Sequence, residues 1–539
     1  MKLEKYKQPL HNKVLQEYKE NAAFRERYFD YENEQAHYEK RLEELQTRTF
    51  KREALRDVIE NFMTPFGLSV AQVDHLKELV DEKAVTIIGG QQAGVLTGPL
   101  YSVHKAISVI LHAREQRERL GVPVIPVFWI AGEDHDLNEI NHVYSETNGQ
   151  LLKEQIVDRF VLKETASEAK YDQQEMVQFV KRIFGKFGET AYTEALLQTV
   201  LEAVEEEQTF TNFFVRLMNG LFKEQGLLWI DAADPALRKL ESDYFTKLIE
   251  YAEPIAERVY EAEQQFLADG FNLPIEAEAD AANLFYMHET GRVLLMREGD
   301  RFVNESVGLS MTTEELLDIA KHEPEKLSNN VVTRPIMQDL VFPVLAFVGG
   351  AGELAYWALL REAFHTLDIR MPIFVPRMSV TFVLPKVEKI MQKEVLSFED
   401  VLQGQASNEK IALLEALQDQ SFSVEVSSMT AQLRTQYDAL TARFAEDNPM
   451  LQQLIEKNYT FHEKQLTYLK HKYEDAIYVK HQTQLERFDY VEAQLYPLGQ
   501  YQERIYHPYV YLNAYGPNLI QDMMNLPFEC DGEHYIVYL

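Results

Sequence analysis

Residues 84–105 read AVTIIGGQQAGVLTGPLYSVHK. An apolar run, Val85 to Ile88, meets a loop carrying Gly89, Gly90, Gly94 and Gly98, and a helical pattern follows at once. Buried strand, glycine-rich turn and helix N-terminus together present backbone N–H groups to an anionic ligand. The helix should run from about Leu100 to Leu120, with Val103, Ile107, Ile110 and Leu111 on its buried side and Gly121 just past its end. PVIPVFWIAGEDHD then reads as a second buried strand ending at Gly132. Strand, helix and strand make a βαβ unit, whose crossover is right-handed and whose strands are parallel. Ligands in such sheets sit beyond the carboxyl ends of the strands, so the loops 89–99 and 132–136 should share one pocket.

Working outward, the 539 residues suffice for several domains around a sizeable core. Formal net charge is −32, which repels phosphate backbones and argues against a nucleic-acid surface. A small anionic substrate in a local basic pocket stays compatible with it. The lone cysteine, Cys530, excludes a disulfide framework within one chain and points to reducing cytoplasm. MKLEKYKQPL lacks the apolar stretch of a signal peptide. Residues 340–360 are apolar, but Pro343, three glycines and Glu353 interrupt them, so a buried strand, loop and helix is expected and no membrane span.

The pattern divides the rest. Residues 1–82 read as a helical flank and 83–145 as the first half of the core, followed by a charged helical insertion over 146–225. GLLWIDAADPALRKL returns the chain to strand–loop–helix form within 226–245. A second insertion, 246–327, holds a small β-meander near 271–310, and 328–385 is the second half of the core. There SNNVVTRPIMQD reads as a polar loop, and VFPVLAFVGG followed by AGELAYWALLREAFHTL as strand and helix. Residues 386–496 are nearly free of glycine and helical, with apolar steps of mostly three, four or seven. An unbroken helix over 450–495 would be about 70 Å long, which calls for an antiparallel hairpin and a second subunit. The tail 497–539 is aromatic and packs back on the protein.

Five groups carry chemistry. The first glycine loop offers Gly89, Gly90, Gly94, Thr97 and Gly98 to an anion, with Gln91 and Gln92 as amide donors and acceptors. Gly98-Pro99-Leu100-Tyr101-Ser102-Val103-His104-Lys105 resembles the signature helix of class I aminoacyl-tRNA synthetases, in which histidines at a helix start stabilise charge on ATP phosphates. Tyr101 and Val103 depart from that pattern, while His104 keeps it and Lys105 adds a cation. Glu133, Asp134 and His135 follow Trp129 at the second strand's end, where they can take up an amine proton or hold an ammonium. Gly349, Gly350 and Glu353, with Tyr356, mirror the first loop, and Arg377 and Ser379 follow, placed like the KMSKS loop of the same synthetases. Asn329 and Arg334 sit in a polar stretch, where an arginine can fork a carboxylate. No metal site is expected.

The order of these segments resembles the bacillithiol biosynthesis cysteine-adding enzymes across the whole chain. The resemblance rests on IIGGQQAGVLTGPLYSVHKA, PVFWIAGEDHD, SNNVVTRP, FVGGAGELAYWA and PLGQYQER. It implies an α/β protein with a Rossmann-like parallel-sheet core, inserted connective-peptide regions and a C-terminal α-helical coiled coil that mediates a homodimer. It also implies a cytoplasmic ligase joining L-cysteine to the amine of glucosaminyl-malate; the sequence leaves the activating cofactor open, with ATP and magnesium as the candidate from the synthetase-like motifs. In that reading His104, Glu133 and His135 are catalytic. Gln91, Gln92, Trp129, Asp134, Asn329, Arg334, Tyr356 and Arg377 bind substrate. Gly89, Gly90, Gly94, Thr97, Gly98, Lys105, Gly349, Gly350, Glu353 and Ser379 hold the nucleotide or anion. The alternative is a non-catalytic nucleotide-binding scaffold with a degenerate synthetase-like core.

Overall fold

The protein is described as a computed structural model over residues 1–6, 12–147, 150–156 and 164–539. Parts of the expected helical insertion, 148–149 and 157–163, lie outside the described residues. The core elements in chain order are β1 (Val85–Gln91), α1 (Leu100–Leu120), β2 (Val124–Ile130), β3 (Leu228–Asp231), α2 (Pro235–Glu250), α3 (Thr333–Val341), β4 (Val344–Gly349), α4 (Ala351–Trp357) and β5 (Ile373–Pro376). Their sheet runs β5-β4-β1-β2-β3, with every pairing parallel. The chain starts in the middle, steps out to β3, then crosses back to β4 and β5. That is the 3-2-1-4-5 order of a doubly wound Rossmann sheet, and its switch point lies between β1 and β4.

The sequence explains the core directly. All seven residues of β2 are buried, as expected of a parallel strand covered on both faces. Gly121 ends α1 in the left-handed region at φ 66°, where glycine carries no Cβ penalty. Asp234 caps α2 by accepting the N–H groups of Ala236 and Leu237, with Pro235 in the first turn, where its missing N–H is harmless.

Four readings are corrected. Residues 328–339 are not a loop: Leu327–Asn329 is a strand and Thr333–Val341 is α3. Asn330 Oδ1 accepts the N–H groups of Val332 and Thr333, and this side-chain turn starts the helix ahead of Pro335, which the first turn tolerates. The helical flank opens on a strand, Lys2–Tyr6, paired antiparallel with His534–Tyr538. The first insertion also opens on two strands, His142–Thr147 and Gln150–Gln155, before its helices at Gln173–Phe184, Thr193–Glu206 and Phe210–Phe222. The meander is larger than expected, five strands in all, and Leu327–Asn329 forms one edge.

The described chain falls into two compact units. Met1–Thr147, Leu151–Phe382 and Gln502–Tyr538 make the first, and Val383–Tyr501 makes most of the second. In the second, Gln405–Leu417 and Gln420–Phe444 pack on a 47-residue helix, Pro449–Leu495. Phe422 stacks on Tyr473 at 4.0 Å between ring centres, and Arg434 pairs with Glu456 at 2.9 Å. No helix among the described residues is long and apolar enough to cross a membrane.

Candidate functional site

At the carboxyl ends of β1 and β4 lies a crevice of about 310 Å³, at the switch point where such sheets bind ligands. Of the residues expected to bind substrate, Gln91, Gln92, Trp129, Asp134, Arg334, Tyr356 and Arg377 line it. Gly90, Lys105, Gly350 and Glu353 of the anion set line it too. Gly89, Gly94, Thr97, Gly98, Asn329, Gly349 and Ser379 do not, and neither do His104, Glu133 or His135.

The glycines pack more than they bind. A Cβ on Gly89 would stand 2.7 Å from the Val109 side chain, and one on Gly90 would stand 2.5 Å from the Trp129 carbonyl oxygen. On Gly94 it would meet Gly98 Cα at 2.7 Å, and on Gly349 the Phe374 ring at 2.5 Å. These positions bring helix, strand and loop into contact. Three of the N–H groups expected to cradle phosphate are also engaged within the fold. Gly94 donates to the Gln92 carbonyl at 3.1 Å, Gly98 to the Val95 carbonyl at 2.9 Å and Gly350 to Glu353 Oε2 at 2.8 Å. Thr97, at φ 72°, is buried in a short turn packed on the Phe210–Phe222 helix. The N–H groups of Gly94, Gly98 and Gly350 are therefore committed within the fold.

Glu133 is an organiser rather than a base. It is 1% exposed, salt-bridged to Arg238 and, through Oε1, 2.9 Å from Arg334 Nε. Burial pushes its carboxyl up, but Arg238, Arg334 and Arg292 outweigh that and hold it at about 2. Such a carboxylate stays ionised at neutral pH and takes up protons poorly. What it does is fix Arg334 by one nitrogen. The two terminal amino groups of Arg334 have no partner among the described residues, and the side chain lines the crevice. That is the geometry of an arginine prepared to fork a carboxylate.

Arg377 is the opposite case. Its two terminal nitrogens bind Glu503 at 2.7 and 3.0 Å, so its fork is already occupied. Glu503 also accepts from Ser379 Oγ at 2.9 Å and lies 2.8 Å from His104 Nδ1. Burial pushes this carboxyl up, and Arg377 and His104 together hold it well below the usual carboxylate range. His104 is fully buried beneath the crevice, and burial pulls its pKa down. The expectation that it faces a substrate phosphate is therefore corrected: it supports Glu503, as Ser379 does. His135 is also outside the crevice, its ring centre 6.3 Å from that of Phe285.

The remaining polar groups converge. Lys105 Nζ donates to the Gly90 carbonyl at 2.7 Å and pairs with Glu353; burial pulls its ammonium down, and Glu353 offsets part of that. Glu353 Oε2 takes Lys105 and the Gly350 N–H, while its other oxygen has no partner among the described residues. Gln92 donates to Asp134 Oδ2 at 2.8 Å. Burial raises the Asp134 carboxyl, but that hydrogen bond with the charges of Arg334 and Arg292 holds it below its ordinary value. The indole N–H of Trp129 is buried without a partner among the described residues. Sequence reasoning missed Gln338, Glu503 and Arg504. The last two lie in PLGQYQER, and a charged pair between apolar tail residues was the available signal.

Two family models cover the chain. "Bacillithiol biosynthesis BshC, N-terminal Rossmann-like domain" matches residues 1–378, and "Bacillithiol biosynthesis BshC, C-terminal coiled-coil domain" matches 380–539. A protein of Lysinibacillus sphaericus named "Putative cysteine ligase BshC" is 45% identical over 541 residues, covering 100% of both chains. Proteins of the same name from Bacillus velezensis and Geobacillus kaustophilus are 35% and 37% identical, covering 98% and 93% of both chains. A solved structure from Campylobacter jejuni described as a "putative arginyl t-RNA synthetase" covers 90% of this chain at 10% identity; its TM-score of 0.22 carries no argument.

Proposed function

This chain belongs to the BshC family of bacillithiol biosynthesis, and from that premise we propose that it is a ligase whose crevice joins the carboxyl of L-cysteine to the amine of glucosaminyl-malate. The observation that supports the reading most is Arg334, held by Glu133 at one nitrogen and open to the crevice at the other two. Two charge-assisted hydrogen bonds from one planar group suit a carboxylate of the malyl moiety.

Amide formation needs a neutral amine as well as an activated carboxyl. Glu353 supplies the proton acceptor, through the oxygen that Lys105 and Gly350 leave open. Asp134, kept ionised and oriented by Gln92, holds an incoming ammonium before it loses its proton. Lys105, brought down by burial, stabilises negative charge on the reacting carboxyl oxygen. ATP with magnesium is the proposed source of activation. Against a share for Gly94, Gly98 and Gly350 in holding it is that their N–H groups are engaged within the fold. A homodimer through the long helical hairpin and a cytoplasmic location complete the proposal.

Arg334→Gln tests it, because glutamine keeps a polar side chain but loses the fork. The variant should lose at least tenfold in kcat/KM for glucosaminyl-malate in a coupled ligation assay. Unchanged kinetics would remove Arg334 from the site.

A further inference from the structure

Each of three crevice cations has a carboxylate in contact: Lys105 has Glu353, Arg334 has Glu133 and Arg377 has Glu503. Arg504 also lines the crevice, yet no carboxylate pairs with it among the described residues. This is notable in a chain with 86 acidic residues against 54 basic ones. Its position is nevertheless fixed. Beside it, Gln502 exchanges two hydrogen bonds with the Phe382 backbone, at 2.7 and 2.9 Å. Glu503 is locked by Arg377, Ser379 and His104, and the Tyr506 carbonyl accepts the Leu100 N–H at 2.8 Å. The short helix Gln502–Ile505 is thus pinned on both sides of an exposed arginine. The charge of Arg504 is felt inside the crevice, where with Arg377 it opposes the rise that burial gives the Tyr101 phenol.

We propose that Arg504, delivered to the Rossmann-like core by the C-terminal tail, is a substrate-binding residue that pairs with an anionic group of the sugar acid. The malyl moiety has two carboxylates, and the crevice has two guanidinium groups with open donors, Arg334 and Arg504. Arg377, expected from sequence to share this task, is excluded because Glu503 occupies its fork. An exposed arginine on a fixed base loses little conformational freedom beyond its own side chain on binding, which favours recognition. The inference rests on the ligase reading and names a residue that reading does not require.

The test uses the full chain, with Arg504→Gln and Arg504→Lys beside the unaltered protein. Calorimetry measures glucosaminyl-malate binding, and steady-state ligation measures KM for glucosaminyl-malate, for methyl glucosaminide and for ATP. Methyl glucosaminide keeps the amine and has no carboxylate. Arg504→Gln should weaken glucosaminyl-malate binding and raise its KM at least tenfold, with kcat falling no more than threefold. Arg504→Lys should recover part of the loss. With methyl glucosaminide all three proteins should share one KM. An unchanged KM for glucosaminyl-malate, an equal rise with both sugars, or a rise confined to ATP would overturn the proposal while leaving the ligase reading intact. If the unaltered protein neither binds nor ligates glucosaminyl-malate, the ligase reading fails, and this inference fails with it.

Discussion

Replacing Glu133 by glutamine removes one charge from beneath the crevice and leaves Arg238 and Arg334 without their shared carboxylate. Two routes give the size of the effect. Breaking a buried ion pair by removing one partner costs about 3–5 kcal/mol. Independently, a carboxyl brought from its ordinary value near 4.5 to about 2 contributes about 3 kcal/mol to folding at neutral pH. The sign follows from the direction. A depressed carboxyl stabilises above its unfolded value, and that stability is lost as pH falls from about 4.5 towards 2. Urea unfolding followed by tryptophan fluorescence reads the right unit, because Trp129, Trp229 and Trp357 are all buried in or beside the parallel sheet. Glu133→Gln should lower stability by about 3 kcal/mol at pH 7 and lack the part of the acid-side slope that belongs to this carboxyl. A loss under about 0.5 kcal/mol, the size of an ordinary surface substitution, would refute the reasoning. So would the same slope in both proteins.

Other outcomes follow from single contacts. Gly90→Ala should destabilise by roughly 1–3 kcal/mol, since its methyl meets the Trp129 carbonyl at 2.5 Å, whereas Gly352→Ala, with nothing within 4 Å, should be neutral or stabilising by the same urea assay. Partial burial pushes the Cys530 thiol up to about 12, so a disulfide reagent at pH 8 should modify the native protein more slowly than the urea-unfolded one; equal rates would contradict that shift. The Pro449–Leu495 helix exposes Met450, Leu454 and Phe461, so sedimentation should show a dimer that Leu454→Glu with Phe461→Glu weakens; a monomer at all concentrations would count against self-association.

The parallel core was legible because two signals agree there. Buried apolar runs end in glycine, and helical periodicity resumes at once, in 84–105 and again in 344–357. What glycine does at those places was not legible. The same residue type admits a phosphate or a neighbouring side chain, and only the positions of Val109, Trp129 and Phe374 show that packing is its task in β1 and β4. Arg334 was read as a carboxylate anchor in a polar loop; it stands on a helix and lines the crevice, and the anchor role belongs to the proposal. Glu133 was misjudged because a carboxylate's role depends on its neighbours. Arg238 and Arg334 lie 105 and 201 residues away in sequence. His104 failed for the same reason, since its partner Glu503 lies 399 residues further along. Local spacing sees a helix start and its polar residues. It does not see a tail that returns to bury one acid and present one arginine.

The most direct measurement combines the purified full chain with L-cysteine, glucosaminyl-malate, ATP and magnesium, and follows amide product and nucleotide together by mass spectrometry. The account predicts cysteinyl-glucosaminyl-malate formed in step with ATP consumption, with AMP marking an adenylate and ADP an acyl phosphate. Binding of both substrates without any amide, under conditions where Arg334→Gln abolishes sugar-acid binding, would contradict the assignment of the crevice as a ligation site.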